Sequence, residues 1–215
     1  MNNLYEIKNP LCLENLAILR DKKTKPEQFR TALKRMAYFL IYEACKDLSL
    51  EDTLIETPLV KASVKRLDRK IKLIAAPILR AGLSFSDVIA EILPEISIQH
   101  IGMYRNEKTL KPVWYYDKTS VEYSNPDRLR IFILDPMLAT GNSSLEAIKL
   151  FANKKIPPEN IKLITLLSSP EGIKKLQHAY QDVKIYTACV DEKLNEKGYI
   201  IPGLGDAGDR IFNTL

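Results

Sequence analysis

The chain has 215 residues, 46% hydrophobic and 27% charged, which supports one sizeable core and argues against a disordered or fibrous protein. Its 32 Lys and Arg against 27 Asp and Glu leave a formal charge of +5. The basic residues are scattered rather than clustered, which argues against a nucleic-acid partner and leaves a mild bias toward phosphorylated small molecules.

Taken in chain order, residues 26 to 47 carry the clearest helical stripe: Phe29, Leu33, Met36, Ala37, Leu40, Ile41 and Ala44. Thr24 with Glu27 three residues later has the form of a capping box, and Pro26 is tolerated in a first turn. The stripe is expected to be a packing face, part of an N-terminal helical segment over about residues 1–50. From residue 71 the pattern turns to strand, loop and helix in repetition. "IKLIAAP" reads as a buried strand, "ILRAG" as a loop and "SFSDVIAEIL" as a helix. "ISIQHIGMY" is a strand, followed by a polar hairpin-like extension to about Lys118. "RIFILD" is another buried strand, and "IKLITLLSS", "PEGIKKLQHAY" and "VKIYTACV" are strand, helix and last strand. Continuous apolar strands alternating with helices predict an α/β fold with a mostly parallel sheet covered on both faces, in a single domain over 1–215. In such sheets ligands bind at the carboxyl ends of the strands, here "PILRAG", "YRNEKT", "DPMLATG" and "SSPEG".

Several patterns carry less than they promise. "GLGDAG" at 203–208 matches G-x-G-x-x-G, but Pro202 stands where a strand should end and too little chain follows for a dinucleotide fold. No Gly-Lys-Ser/Thr is present, so a Walker loop is also unsupported. His100 and His178 lack ligand spacing. The three cysteines, Cys12, Cys45 and Cys189, are far apart with no CxxC, which speaks against zinc or a disulfide framework. "MNNLYEIKNP" has no basic start followed by an apolar core, and "MAYFLIY" is too short to span a bilayer. The expectation is a cytoplasmic protein with no membrane partner.

The stretch "ILDPMLATGNSSLEAI" at 133–148 is the most informative. A strand ending at Asp135 places a carboxylate at the ligand edge. Thr140, Gly141, Asn142, Ser143 and Ser144 then offer hydroxyls and backbone N–H groups at a helix N-terminus, which attracts anions. An ordinary strand-to-helix connection with Ser143 as N-cap would look much the same. Arg80 and Arg105, on two other carboxyl-edge loops, shift the balance toward a second anionic group. A ligand with a phosphate, then hydroxyls, then a pyrophosphate answers all three features, and 5-phosphoribosyl-1-pyrophosphate (PRPP) is such a ligand.

The segments "ILRDKKT", "APILRAGLSFSD", "HIGMYRNEKTLKPVWYY", "LDPMLATGNS", "SSPEG" and "DEKLNEKGYIIPGLGDAGDRIF" together resemble bacterial uracil phosphoribosyltransferases, within the type I phosphoribosyltransferase fold. The resemblance runs in order over nearly the whole chain and is most discriminating in "GYIIPGLGDAGDR". It implies the reaction of uracil with PRPP to give UMP and pyrophosphate, with Mg2+. It also implies roles for residues. Asp135, Arg80 and Arg105 would be catalytic. PRPP would be bound by Arg80, Arg105, Asp135, Pro136, Met137, Leu138, Ala139, Thr140, Gly141, Asn142, Ser143 and Asp206. Uracil would be held by Ile200, Gly205, Asp206 and Ala207 in a C-terminal loop over about 191–215. The metal would come with PRPP rather than on a protein cage, with Asp206 as the one candidate ligand. The segment from Arg105 to Lys118, with Trp114, Tyr115 and Tyr116, is a candidate lid. A homodimer or higher homo-oligomer and activation by GTP are family expectations. The sequence departs from the family pattern at Cys45-Lys46 (usually Thr-Arg), Ser84 (Gly), Asn106 (Asp) and Asn142 (Gly). Competing readings are a regulator of pyrimidine genes that binds RNA or nucleotide, and a weakly active paralogue.

Overall fold

A computed structural model describes residues 3–106 and 112–214, the Arg105 side chain excepted. A short strand β1 (Leu4–Glu6) leads into helices α1 (Pro10–Arg20) and α2 (Pro26–Cys45). A hairpin follows, β2 (Leu50–Glu56) and β3 (Lys61–Leu67), in a stretch where no element was expected. Its alternation is exposed with half-buried, so it lacks the run of buried apolar residues that marks a core strand.

The sheet is built from β4 (Lys72–Leu79), β5 (Ser97–Ile98), β6 (Ile101–Arg105), β7 (Pro112–Asp117), β8 (Leu129–Leu134), β9 (Met137–Leu138), β10 (Ile161–Ser168) and β11 (Lys184–Val190), together with β1. Among the described residues its order is β1-β11-β10-β8-β4-β6-β7, parallel except for the β6–β7 pair. The strand expected over 96–104 is interrupted at Gln99–His100, although both pieces pair with β4 in one register, Ala75 with Ile98 and Ile78 with Ile101. Helices α3 (Ser86–Ile92), α4 (Asn142–Asn153) and α5 (Pro170–Ala179) fill the connections. Past β11, where the last strand was expected, lie a two-residue pair β12 (Lys193–Leu194) and β13 (Ile200–Ile201), then a short helix α6 (Ala207–Phe212).

Strand alternation explains the two cores. Along β8, Phe132 and Leu134 face α1, α2 and α3, while Ile131 and Ile133 face α4 and α5, and all four are fully buried. Burying a large apolar side chain contributes roughly 1.5–3 kcal/mol, so both faces must be covered for strands this apolar to be stable. The stripe predicted on α2 is the central covering face, with Phe29, Leu33, Met36, Leu40 and Ile41 all buried. Lys162 interrupts the apolar pattern of β10 and is still only 1% exposed. Its ammonium donates to Ala44 O at 2.5 Å, which satisfies a terminal carbonyl of α2, and pairs with Asp47.

The capping box expected at Thr24 and Glu27 is not what starts α2. Pro26 occupies the first turn, Lys25 is the N-cap, and Gln28 Oε1 accepts the Lys25 N–H at 3.4 Å. Thr24 Oγ1 instead donates to Ile18 O at 2.6 Å, closing the turn between α1 and α2. Among the described residues no helix is long and apolar enough to cross a membrane.

Candidate active site

The strand order reverses between β4 and β8: the chain leaves β4 toward β6 and β7, then returns to place β8 on its other side, with β10 and β11 beyond. Connections diverge at such a point and leave a crevice at the carboxyl ends of the two strands. Arg80 directly follows β4 and Asp135 directly follows β8, so both stand at this crevice. The peptide between Leu79 and Arg80 is cis.

The turn after β8 is fixed by its neighbours. Asp135 N–H donates to Ile164 O at 3.1 Å, and Pro136 O accepts from Leu166 N–H at 2.9 Å. Leu138 O accepts from Ser169 N–H at 2.9 Å, and Ala139 O from Ser169 Oγ at 2.6 Å. Gly141 then caps α4 at φ +75°, a left-handed conformation that other L-residues adopt at a cost. The first backbone bond of α4 runs from Leu145 N–H to Gly141 O at 2.9 Å. The preceding N–H groups of Asn142, Ser143 and Ser144 stand at the helix mouth, where the positive end of the helix dipole favours an anion. The N-cap is therefore Gly141 and not Ser143. Asn142 is the first residue of α4, and its Oδ1 accepts from Lys175 Nζ of α5.

These groups line a cleft of about 270 Å³. Of the residues singled out in the sequence, it brings together Arg80, Asp135, Met137, Ala139, Thr140, Gly141, Asn142 and Ser143 on one side, with Ile200, Gly205, Asp206 and Ala207 on the other. Pro136 and Leu138 do not line it; both are buried behind the turn, and Leu138 pairs with β10. Arg105 ends β6, and its side chain lies outside the described residues, as does the 107–111 tip of the expected lid. Trp114, Tyr115 and Tyr116 lie on β7, each more than a third exposed. The cleft also takes in Leu79, Met103, Gly198, Tyr199 and Gly208, which the sequence did not single out individually. Gly198 and Tyr199 directly precede Ile200 in "GYIIPG", so contiguity was the signal available for them. Met103 has none, since it reaches the cleft only because β6 packs beside β4.

The electrostatics differ across the cleft. Burial pushes the Asp135 carboxyl up to about 7, offset only in part by the Met137 N–H at 3.4 Å. Arg80 is exposed and its guanidinium meets Asp209 Oδ1 of α6 at 3.3 Å. Asp206 caps α6, one carboxylate oxygen accepting the Asp209 N–H at 3.0 Å. Among the described residues no three His, Cys, Asp or Glu side chains gather as a metal cage. A larger hollow of about 710 Å³ lies at the opposite edge of the sheet, by Lys72, Leu129 and the foot of the β2–β3 hairpin. It contains none of the groups just described. Size alone does not locate a site; the convergence of a helix mouth, a carboxylate and an arginine does.

The chain as a whole is similar to known proteins. The uracil phosphoribosyltransferase family model matches residues 6–214. A uracil phosphoribosyltransferase of Lactococcus lactis subsp. cremoris is 47% identical over 214 residues, covering 100% of both chains. The solved structure of the AQ2163 protein from Aquifex aeolicus superposes with a TM-score of 0.89 at 34% identity, covering 97% of each chain. A hypoxanthine-guanine phosphoribosyltransferase of Bacillus anthracis shares the fold at a TM-score of 0.50 and 14% identity, over 77% of this chain and 82% of that one.

Proposed function

The chain belongs to the uracil phosphoribosyltransferase family, and on that premise we propose that it transfers the phosphoribosyl group of PRPP to uracil, giving UMP and pyrophosphate. The observation that carries the residue roles is the convergence of Asp135, the α4 mouth, Arg80 and the 198–208 loop on one cleft at the sheet's switch point.

In this proposal the turn from Ala139 to Ser143 takes the 5′-phosphate on backbone N–H groups and hydroxyls. Asp135 accepts hydrogen bonds from the ribose hydroxyls, which favours its ionised form and opposes the effect of burial. Arg80, with Arg105, holds the pyrophosphate and stabilises the charge it gains as the C1′–O bond breaks. Arg80 would leave Asp209 to do so. The base lies against Ile200 and Gly205 to Ala207, whose backbone groups can match the N–H and C=O edge of uracil without a charged side chain. Catalysis is then positioning and electrostatics, with no covalent intermediate on the protein.

The donor set fits a magnesium ion carried by the substrate, because Mg2+ commonly binds through one or two carboxylates plus substrate phosphates. Asp206 keeps one oxygen beyond its capping bond, and Asp135 stands across the cleft; these are the residues that would meet the ion. Bound there, magnesium supplies neutralisation of the leaving pyrophosphate. A homodimer or larger assembly and activation by GTP belong to the same proposal through the family likeness, and gel filtration and assays with and without GTP test them.

The decisive experiment is conversion of radiolabelled uracil to UMP with PRPP and Mg2+. No UMP from the wild-type chain would overturn the function. Equal rates in wild type and Asp135→Ala would overturn the placement of the site.

A further inference from the structure

The proposed base loop is held from behind by the N-terminal helices. Arg20, the last residue of α1, makes a two-pronged ion pair with Asp191 at 2.5 and 2.9 Å. The pair also binds one residue of the loop, Gly203, through both of its backbone groups. Arg20 Nη1 donates to Gly203 O at 2.8 Å, and Asp191 Oδ2 accepts the Gly203 N–H at 2.9 Å. Gly203 sits at φ +63°, where an added Cβ would come within 2.1 Å of Ile200 O, so its backbone has one conformation to offer and only glycine offers it. The next residue is gripped as well. Arg210 Nη1 donates to Leu204 O at 2.8 Å and to Leu19 O, and its Nη2 donates to Asp21 O at 2.6 Å.

Gly203 and Leu204 face away from the cleft, whereas Ile200 and Gly205 line it. The Asp191 side chain is 3% exposed and Arg20's is 23%, so the pair is largely shielded from water. Burial alone would raise the Asp191 carboxyl; the Arg20 and Gly203 hydrogen bonds hold it below its usual range, so the pair stays charged near neutral pH.

We infer that Arg20 and Asp191 form a positioning pair for the nucleobase, holding the N–H and C=O of Gly203 from behind so that the groups at Ile200 and Gly205 meet the base in a fixed arrangement. This rests on the proposal that the 198–208 loop takes uracil. Loss of the pair would leave the phosphate turn untouched, because that turn is built from β8, β10, α4 and α5.

The test is steady-state kinetics of Asp191→Asn, Arg20→Gln, Arg20→Lys and the double variant Arg20→Gln/Asp191→Asn, with thermal melting alongside. Either single loss of charge is expected to raise the KM for uracil by about 10- to 100-fold, the scale of a small misplacement near the reacting atoms, with the KM for PRPP within about twofold. Arg20→Lys should fall in between, since an ammonium keeps the charge but not the fork. The double variant should be no worse than the worse single one, as expected of groups that act as a unit. Arg30→Gln is the control: it loses a 3.0 Å bond to Ile211 O, beyond the loop, and should leave the uracil KM unchanged. A uracil KM that stays put in Arg20→Gln and Asp191→Asn, or that moves together with the PRPP KM, overturns the inference. So does an equal rise in Arg30→Gln. If Asp191→Asn does not fold, Arg20→Lys decides alone. A wild-type chain that makes no UMP would instead indict the function, a result separable from any of these.

Discussion

The phosphate turn and the base loop face each other across one cleft but are built in opposite ways. The turn is comparatively local: a strand ends, a left-handed glycine reverses the chain, and a helix opens, all between Leu134 and Leu145, with outside support from Ile164 to Lys175 nearby in sequence. The loop's shape depends on Arg20, 183 residues away from Gly203, and on Arg210 bridging back to Leu19 and Asp21. The turn can be broken from its own residues or from the adjoining β10 and α5. A non-local site can be broken from another part of the molecule.

The largest effect that separates the two should come from Asp135. Asp135→Ala removes the proposed acceptor for the ribose hydroxyls and should lower kcat/KM by roughly 100-fold or more. Binding of uracil analogues in the base loop should be far less affected if the two sides are independent. Isothermal titration of a uracil analogue with each variant checks this, and an equal loss of base binding would break the comparison. Next in size is Gly141→Ala. The new Cβ would sit at φ +75° and 3.1 Å from Gly172 O, costing about 1–2 kcal/mol. About a tenfold rise in the PRPP KM is expected, read from initial rates, with the uracil KM left in place.

That contrast also explains what the sequence disclosed. The buried strands, the helix between them and the Asp135–Ser143 turn were legible because each is a contiguous pattern of apolar run, small turn residues and amphipathic stripe. The covered two-face sheet followed from the same runs. The β2–β3 hairpin was not legible, since its residues are exposed or half-buried on both sides and give no core signal. Nor was the role of Arg20: "ILRDKKT" is one of the segments that carry the family resemblance, and only the folded chain shows its guanidinium at Gly203. Nothing in "IKLITLLSS" signals that its lysine, Lys162, is buried under the end of α2.

A smaller effect concerns stability, and its sign is opposite to that of activity. The Asp135 carboxyl titrates near 7 in the folded chain and near 3.8 when unfolded. Between those values the folded state binds more protons than the unfolded one, so the free protein loses stability as pH rises from about 4 to 7 and is level above. Asp135→Asn removes the cost of a buried charge. It should melt a few degrees above wild type at pH 8, on the order of 1–3 kcal/mol, and the difference should shrink toward pH 5. Scanning calorimetry at the two pH values decides; a variant that melts lower at pH 8 would show that Asp135 is held ionised by groups already in the free protein. The residue would then cost nothing to bury, and the trade of stability for binding would be gone.

The smallest expected effect lies at Asn142, the one departure from the family pattern inside the phosphate turn. If that position required a positive φ, or if its side chain crowded the phosphate, Asn142→Gly should sharpen PRPP binding. The structure places the positive φ one residue earlier, at Gly141, and gives Asn142 an ordinary first-turn helical position with its Oδ1 accepting from Lys175. Glycine there would add backbone freedom at a helix start, costing up to about 0.5–1 kcal/mol, and would release Lys175 from its bond to residue 142. The expected outcome is a slightly lower melting temperature and a PRPP KM within about threefold of wild type, since two small losses fall well short of removing a phosphate contact. Lys175→Met separates them: it keeps Asn142 while deleting the cation, and if it matches Asn142→Gly in PRPP KM, the shared cause is the lysine. A tenfold gain in PRPP affinity from Asn142→Gly would mean that the side chain blocks the phosphate after all. The local turn would then be less self-sufficient than the backbone bonds around Gly141 indicate.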